Sequence, residues 1–320
     1  MPVYHVLHDT RYDYGSSVSV SQQQIHLQAR TLPWQRCLAS SLECDPGPSW
    51  ARSGEDAFGN PMRWLTFALP HERLHVRSEM TIEVLRREEA QPDYGRPESS
   101  LPWEMVRDRL TYAARPMTSE DFEAAAVQFE SPYVRIKRDI GAYAADCFGP
   151  GESLLVCARR LMEKIYTEFE FDAEATTVAT PVIEVLQRRR GVCQDFAHMM
   201  LACLRAMGLS ARYVSGYLLT HPPPGKPRMI GADASHAWIS VYSPKADGSA
   251  EWVDFDPTNN LIPDTEHITL AWGRDFGDVS PLRGIILGGG SHEPEVEVTV
   301  TPLGDARPPS FQLHRPVNDM

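Results

Sequence analysis

Apolar and polar residues alternate along the first quarter of the chain. In Leu74–Val84 the even-numbered positions are mostly apolar and the intervening positions are polar, which is the period of a half-buried strand. The turn-forming segments 45–48 and 58–61 separate similar runs. These further strands are predicted at Val3–Tyr14, Val18–Leu32, Leu38–Cys44 and Arg63–Leu69. Residues 1–88 are therefore predicted to form an N-terminal β-rich domain that resembles a β-sandwich or a small barrel.

Beyond a polar, proline-containing linker at about residues 86–102, the apolar period changes from two to about 3.6, which indicates helices. One amphipathic helix is predicted from Leu154 to Tyr166. A second is predicted over Val182–Gln187, with Thr180 as its capping residue and Pro181 in its first turn. A third should begin close to Cys193 and run to Met207, where Gly208 ends it.

Extended segments follow the third helix, at Ala211–Leu219, His236–Tyr242 and Glu251–Phe255. Helices followed by strands in this order predict an α+β core, in which a central helix packs on an antiparallel sheet. We assign this core to residues 103–290. Residues 291–320 are predicted to form a C-terminal strand and tail, because Glu295–Val300 alternates again.

Composition limits the classes of function. A chain of 320 residues with 42% hydrophobic and 23% charged residues has material for more than one buried core. The net charge of −12 and the lack of a Lys/Arg-rich block argue against a nucleic-acid partner. No segment has the apolar length of a membrane span or a secretory leader, so we expect a cytoplasmic protein without a membrane partner. The six cysteines show no Cys-x-x-Cys pair and are expected to be reduced.

Cys193 has the sequence position of an activated thiol. In the first turn of a helix, unpaired N–H groups and the positive end of the helix dipole stabilise a thiolate. Gly191, just before it, would let a substrate carbonyl approach the backbone, and the Cys193 N–H would donate to a developing oxyanion. Cys203, in an apolar run of the same helix, is expected to be a core residue.

His236 and Asp256 are predicted to form a pair on neighbouring strands. If the connecting hairpin is centred near Ala246, antiparallel pairing places His236 directly opposite Asp256, where a carboxylate can orient an imidazole. Asp254 lies on the same strand face and would pair near Trp238. A bulge or a shifted turn would change this register, so Asp254 remains the alternative orienting residue.

Other conspicuous polar and aromatic residues near these segments have simpler interpretations. His198 points away from the Cys193 face of the helix and is expected to be structural. Asp195 is expected to complement the helix dipole in the first turn. Core packing is the preferred role of Trp238 and Trp252, with an acyl-binding groove as the alternative. Asp233 is a weaker candidate for a residue that flanks the site on a loop.

Three ordered segments resemble the core motifs of bacterial transglutaminase-like proteins: Gly191–His198, Ser235–Trp238 and Asp256–Asn259. The segment His267–Asp275 and the N-terminal β-rich region resemble members of this family that carry an N-terminal β-domain. The resemblance implies a papain-like core with Cys193 as nucleophile, His236 as general base and acid, and Asp256 as the residue that orients the histidine.

The resemblance implies cysteine-dependent acyl transfer through a thioester, with amide bonds of peptides, proteins or related polymers as substrate. It leaves open whether the acceptor is water, as in an amidase or peptidase, or an amine, as in a transglutaminase. A catalytically silent binding or scaffolding protein with the same fold is the alternative function, and the N-terminal β-domain is the surface that would meet a protein partner. No Asp-x-Asp-x-Asp-Gly loop is present, and we expect neither a metal nor another cofactor.

Overall fold

The computed structural model describes residues 1–111, 117–220 and 235–303, which form a seven-stranded sheet, a four-stranded sheet with helices around it, and a short two-stranded sheet. The strands in chain order are β1 (Val3–Ile25), β2 (Gln35–Asp45), β3 (Trp50–Glu55), β4 (Pro61–Phe67), β5 (His71–Val84), β6 (Glu170–Phe171), β7 (Arg190–Gly191), β8 (Ala211–Leu218), β9 (Ser235–Pro244), β10 (Ala250–Phe255), β11 (His267–Gly273), β12 (Leu282–Gly288) and β13 (Pro294–Leu303).

Most of the helices fall between β5 and β8 in the sequence. In chain order they are α1 (Arg87–Ala90), a short 3-10 helix (Pro97–Ser99), α2 (Trp103–Leu110), α3 (Ser119–Ala126), α4 (Arg138–Ala145), α5 (Leu154–Glu168), α6 (Val182–Arg188), α7 (Cys193–Ala206) and α8 (Phe276–Val279). No helix within the described ranges is long and apolar enough to cross a membrane.

The N-terminal sheet is organised around β1. The first half of β1 lies between β5 and β13, and its second half lies between β4 and β12, with β2 and β3 at the outer edges. A register irregularity between Asp13 and Val18 separates the halves. The strands predicted at Val3–Tyr14 and Val18–Leu32 are therefore one strand that bends at this irregularity and ends at Ile25.

The two ends of the long strands in this N-terminal region pack in different cores. Leu74 and Val76 of β5 pack with Leu65 and Phe67 of β4 in a small cluster beside the second half of β1. Residues of the first half of β1, the second half of β5 and β13 belong instead to the main core around the helices; these are Tyr4, Val6, Met80, Ile82, Val84, Val298 and Val300. The α+β class and the strand-rich N-terminal domain are confirmed, and the two parts share one continuous core.

The C-terminal strands lie in the N-terminal sheet. Both β12 and β13 pair antiparallel with β1, although the sequence placed the first within a core at 103–290 and the second in a separate tail. Local alternation predicts a strand but does not reveal a partner nearly the whole chain away. The expected linker at 86–102 is also packed, because Tyr94 is buried and its hydroxyl accepts the N–H of Asp254 at 2.8 Å.

The core places α7 against an antiparallel sheet in the order β10-β9-β8-β11. Helix α7 packs on β8 and β9 with one side and on α4, α5 and α6 with others. Its residues from Asp195 to Arg205 are all buried, so it is the central helix that the sequence predicted. Gly208 follows it with φ +76, the left-handed conformation that favours glycine after a helix. Helix α6 begins at Val182 after Pro181 without a side-chain cap, so the capping role predicted for Thr180 was wrong.

Candidate active site

Cys193 is the first residue of α7. Strand β7 leads into the helix, and Val192 precedes Cys193 in an extended conformation. The thiol is free and half-buried, at the helix end where the dipole favours an anion. As the first residue of the helix, Cys193 also has an N–H without an intrahelical acceptor, which leaves this group available to a ligand.

Asp195 closes the first turn of the same helix. Its carboxylate accepts hydrogen bonds from the Val192 N–H at 2.8 Å and from the Thr176 hydroxyl at 2.6 Å. Burial raises the pKa of this carboxyl. A Cβ on Gly191 would lie 2.6 Å from Asp195 Oδ2, so the glycine makes room for this cap. The sequence had assigned Gly191 to substrate approach; its evident role in the structure is to admit the Asp195 carboxylate.

His236 and Asp256 meet at the opposite side of the site. The distance from His236 Nε2 to Asp256 Oδ2 is 2.8 Å, and both side chains are buried. Burial alone lowers the pKa of His236, but its hydrogen bonds to Asp256 and Cys193 outweigh that effect and raise the pKa. The imidazole is therefore influenced by both the carboxylate and the thiol, and its environment favours the charged imidazolium form.

The strand register differs from the predicted one. The β9–β10 hairpin pairs Asp254 with Ser240 and Phe255 with Ile239, so the same register would carry Asp256 opposite Trp238. The predicted opposition of His236 and Asp256 was therefore wrong by two residues. Strand β10 ends at Phe255, and Asp256 begins a tight turn that its N–H closes on Leu261 O at 2.9 Å. The turn lets the carboxylate reach His236 diagonally.

The alternative carboxylate has another partner. Asp254 Oδ2 lies 3.3 Å from Arg87 Nη2, and both side chains are almost completely buried. Asp254 thus pairs with a cation from α1. Of the two carboxylates, only Asp256 is hydrogen bonded to His236 in the described part of the chain.

Five hydrogen bonds converge on the Asp256 carboxylate. Oδ1 accepts the backbone N–H groups of Thr258 at 3.0 Å and Asn259 at 3.2 Å. Oδ2 accepts from His236, from Asn259 Nδ2 at 2.7 Å and from His267 Nε2 at 3.1 Å. Burial alone would raise the pKa of Asp256, but the bonds to His236 and His267 hold it far below its usual range.

Sequence reasoning did not assign roles to Asn259 and His267. Both lie in segments that carried the family resemblance, Asn259 at the end of the Asp256–Asn259 motif and His267 at the start of the C-terminal one. No local pattern indicates that a histidine at the start of β11 reaches the turn after β10. Within the described ranges, His236, Asp256 and His267 are also a group that could hold a metal ion, since their ligand atoms lie within 4.8 Å of one another.

The remaining candidates have packing or structural environments. His198 Nε2 accepts the Phe276 N–H at 3.2 Å, and burial lowers the pKa of this histidine to about 3, so it is neutral. Trp238 is fully buried beside His236 and His267, whereas Trp252 contacts Tyr242 with the two rings tilted to each other. Cys203 is buried in the core. Asp233 lies outside the described residues.

Two family profiles match this chain. One is described as the bacterial transglutaminase-like N-terminal region and matches residues 4–83; the other is described as the transglutaminase-like superfamily and matches residues 142–257. The first coincides with the N-terminal strands up to β5. The second begins within α4, ends just after Asp256, and includes Cys193 and His236.

Similar proteins extend the match beyond these profiles. An uncharacterized protein of Mycobacterium tuberculosis is 40% identical over 308 residues, which cover 95% of this chain and 94% of that protein. An uncharacterized protein of Mycobacterium leprae is 30% identical over 304 residues, which cover 93% and 98%. A protein-glutamine gamma-glutamyltransferase of Pseudomonas aeruginosa is 32% identical over 77 residues, covering 24% of this chain and 11% of that enzyme.

A solved structure has the same architecture. The crystal structure of a "putative cysteine protease" from Cytophaga hutchinsonii superposes with a TM-score of 0.70 and covers 97% of this chain and 94% of the other. At 19% sequence identity this similarity concerns the fold. It includes both the N-terminal sheet and the core, so their arrangement recurs in a second protein.

Proposed function

Because this chain belongs to the transglutaminase-like superfamily, we propose that it is a cysteine-dependent acyl-transfer enzyme that acts on amide bonds of peptides, proteins or related polymers. The observation that carries the proposal is the 2.8 Å hydrogen bond between the Asp256 carboxylate and His236, in a site where the thiol at the start of α7 also acts on the imidazole and raises its pKa. A base-activated thiol of this kind needs a nucleophile, a base and a group that orients the base.

The proposed reaction follows from these positions. The Cys193 thiolate attacks the amide carbonyl and forms a C–S bond, while the Cys193 N–H donates to the oxyanion. The His236 imidazolium then gives its proton to the departing nitrogen, the C–N bond breaks, and a thioester remains on Cys193. His236, now neutral, removes a proton from the acceptor, either water or an amine. Attack by that acceptor releases the acyl product and restores the thiol.

Selective alkylation tests the proposed nucleophile. Iodoacetamide followed by peptide mapping should label Cys193 much faster than the other five cysteines, because a thiolate is the reactive form. Burial raises the pKa of each of the other thiols, which are Cys37, Cys44, Cys147, Cys157 and Cys203. Labelling of all six at similar rates would contradict the proposal.

Intact-mass measurement identifies the acyl donor. Incubation with a peptide and amide library should add one acyl group to the wild-type protein and none to Cys193→Ala. Chasing the adduct with water alone or with added primary amine then distinguishes hydrolysis from amine transfer by the mass of the released product. A Cys193→Ala protein that retained the full cellular function would instead indicate a binding protein with this fold.

A further inference from the structure

A second histidine contacts the same carboxylate oxygen as His236. His267 is the first residue of β11 and pairs with Leu218 of β8, while His236 on β9 pairs with Gly216 of β8. The two imidazoles therefore approach the turn at Asp256 from opposite sides of β8. His267 is 2% exposed, and its ring centroid is 5.9 Å from that of His236.

The chemistry of the carboxylate decides where the protons lie. An ionised carboxylate can only accept hydrogen bonds, so the Nε2 atoms of both histidines must carry hydrogens. Oδ2 then receives three donors, from His236, His267 and Asn259. A carboxylate oxygen offers about two lone-pair directions, so the three donors compete for its charge.

We propose that His267 is a positioning residue of the acyl-transfer site, an inference that rests on the proposed function. Its Nε2–H donates to Asp256 Oδ2, the same oxygen that accepts from His236. This sharing limits how tightly Oδ2 holds the proton of the His236 imidazolium. An unshared carboxylate would hold the imidazolium more firmly. Proton transfer from His236 to the departing nitrogen would then be less favourable, because the donor would be a weaker acid.

His267 suits this role because it is neutral. Burial lowers its pKa, and the hydrogen bond to Asp256 does not restore the ordinary value. A neutral donor takes part of the charge of Oδ2 without repelling the His236 imidazolium. The ionisable groups that act on the two histidines are Asp256 itself, Cys193 at the start of α7, and Arg87 of α1.

The pH profile of Cys193 alkylation in the full chain tests the inference. We would measure iodoacetamide rates between about pH 4 and about pH 11 for the wild type, His267→Leu and His267→Gln. Leucine fills the space without a donor, whereas the glutamine amide can donate from nearly the position of Nε2. In His267→Leu the inflection at which the His236 imidazolium loses its proton should move up by about one pH unit. His267→Gln should stay near the wild type.

Other results would overturn the inference. An unmoved or lowered inflection in His267→Leu, with melting temperatures showing all three proteins folded, means that His267 is only structural. If His267→Leu does not fold, His267→Asn replaces it, because that amide is too short to reach Asp256. Alkylation that slows with added Zn²⁺ in the wild type but not in His267→Gln would indicate a metal site instead.

The proposed function fails separately. A wild-type Cys193 that reacts no faster than the other thiols, or whose pH profile is unchanged in His236→Gln, would contradict thiol activation itself. An activated wild-type thiol with an unmoved inflection in His267→Leu would contradict only the role of His267.

Discussion

Asp256 and Asp254 lie on the same predicted strand face, and their different surroundings in the structure show which carboxylate contacts His236. Asp256 receives five hydrogen bonds and orients His236. Asp254 pairs with Arg87, whose guanidinium lies over the Trp34 ring and whose buried Nε and Nη1 atoms have no hydrogen-bond partner in the described part of the chain. One carboxylate thus faces the site, and the other neutralises a buried cation.

Asparagine substitutions should therefore have different effects at the two positions. Asp256→Asn should lower kcat for the identified acyl donor by up to about 10⁴-fold, since the histidine loses its orienting charge. Asp254→Asn should change kcat little but lower the free energy of unfolding by about 3–5 kcal/mol, because Arg87 is left unpaired. Steady-state kinetics and urea unfolding measure the two effects. The opposite ranking of kcat values in two folded variants would refute the assignment of Asp256.

The pKa of His236 predicts a pH-dependent contribution to stability. Folding raises this pKa from 6.5 to about 10, so the native state keeps a proton that the unfolded chain loses. The stabilisation is fully present below 6.5 and disappears as the pH rises through about 10. Urea unfolding of the wild type and His236→Gln should show a stability difference that shrinks from neutral to alkaline pH. A difference that grew with pH would contradict the sign.

At the scale of elements, β8 separates the strands that carry the two histidines. Gly216 of β8 pairs with His236, and a Cβ at this position would clash with the backbone oxygen of Ile268 in β11 and would lie 2.6 Å from Cη2 of Trp238. The Trp238 ring in turn lies edge-on to His267, with ring centroids 5.2 Å apart. The missing side chain therefore lets both the β11 backbone and the Trp238 ring approach β8.

Gly216→Ala should disturb both packing and chemistry. We expect a loss of about 1–3 kcal/mol in the free energy of unfolding, because the added methyl must displace Trp238 or the neighbouring strand. Cys193 alkylation should slow as His236 shifts with the tryptophan. Gly47→Ala is the matched control, since a Cβ there meets nothing within 4 Å. Equal stability and alkylation rates in the two variants would show that the close contact has no consequence.

Local sequence patterns predicted the elements whose ends are marked by residues close by in the sequence. The start of α7 at Cys193 and its end before Gly208 were read from helix periodicity and a terminating glycine. The hairpin register depended on where the turn fell, and it moved by two residues. Strand β3 was missed because its six residues are all exposed and show no alternation of burial. The contact between His267 and Asp256 depends on tertiary folding, which no local pattern encodes.

At the scale of the whole molecule, the N-terminal sheet completes the edge of the core sheet. The Gln35 side chain donates to Thr269 O and accepts from Thr269 N, both at 2.8 Å. Asn60 does the same for Trp272, at 2.8 and 2.9 Å. These amides satisfy backbone groups of β11 at the open edge, where another strand would otherwise pair. The strand that carries His267 is thus held in place by the other domain.

The C-terminal strand β13 joins the two domains, because it pairs with β1 and packs in the main core. Val298 and Val300 of β13 are buried in the main core, so ending the chain after Ser291 should remove about 3–6 kcal/mol of apolar burial. The pairing that covers one edge of β1 would be lost as well. Because the core is continuous, the melting temperature of the whole molecule should fall in one transition, and Cys193 alkylation should lose its selectivity.

A chain that ends at Leu303 is the length control, and calorimetry of the two chains isolates the effect of β13. A truncated protein whose core melted separately at the control temperature, with selective alkylation intact, would show that the catalytic half folds without the N-terminal sheet.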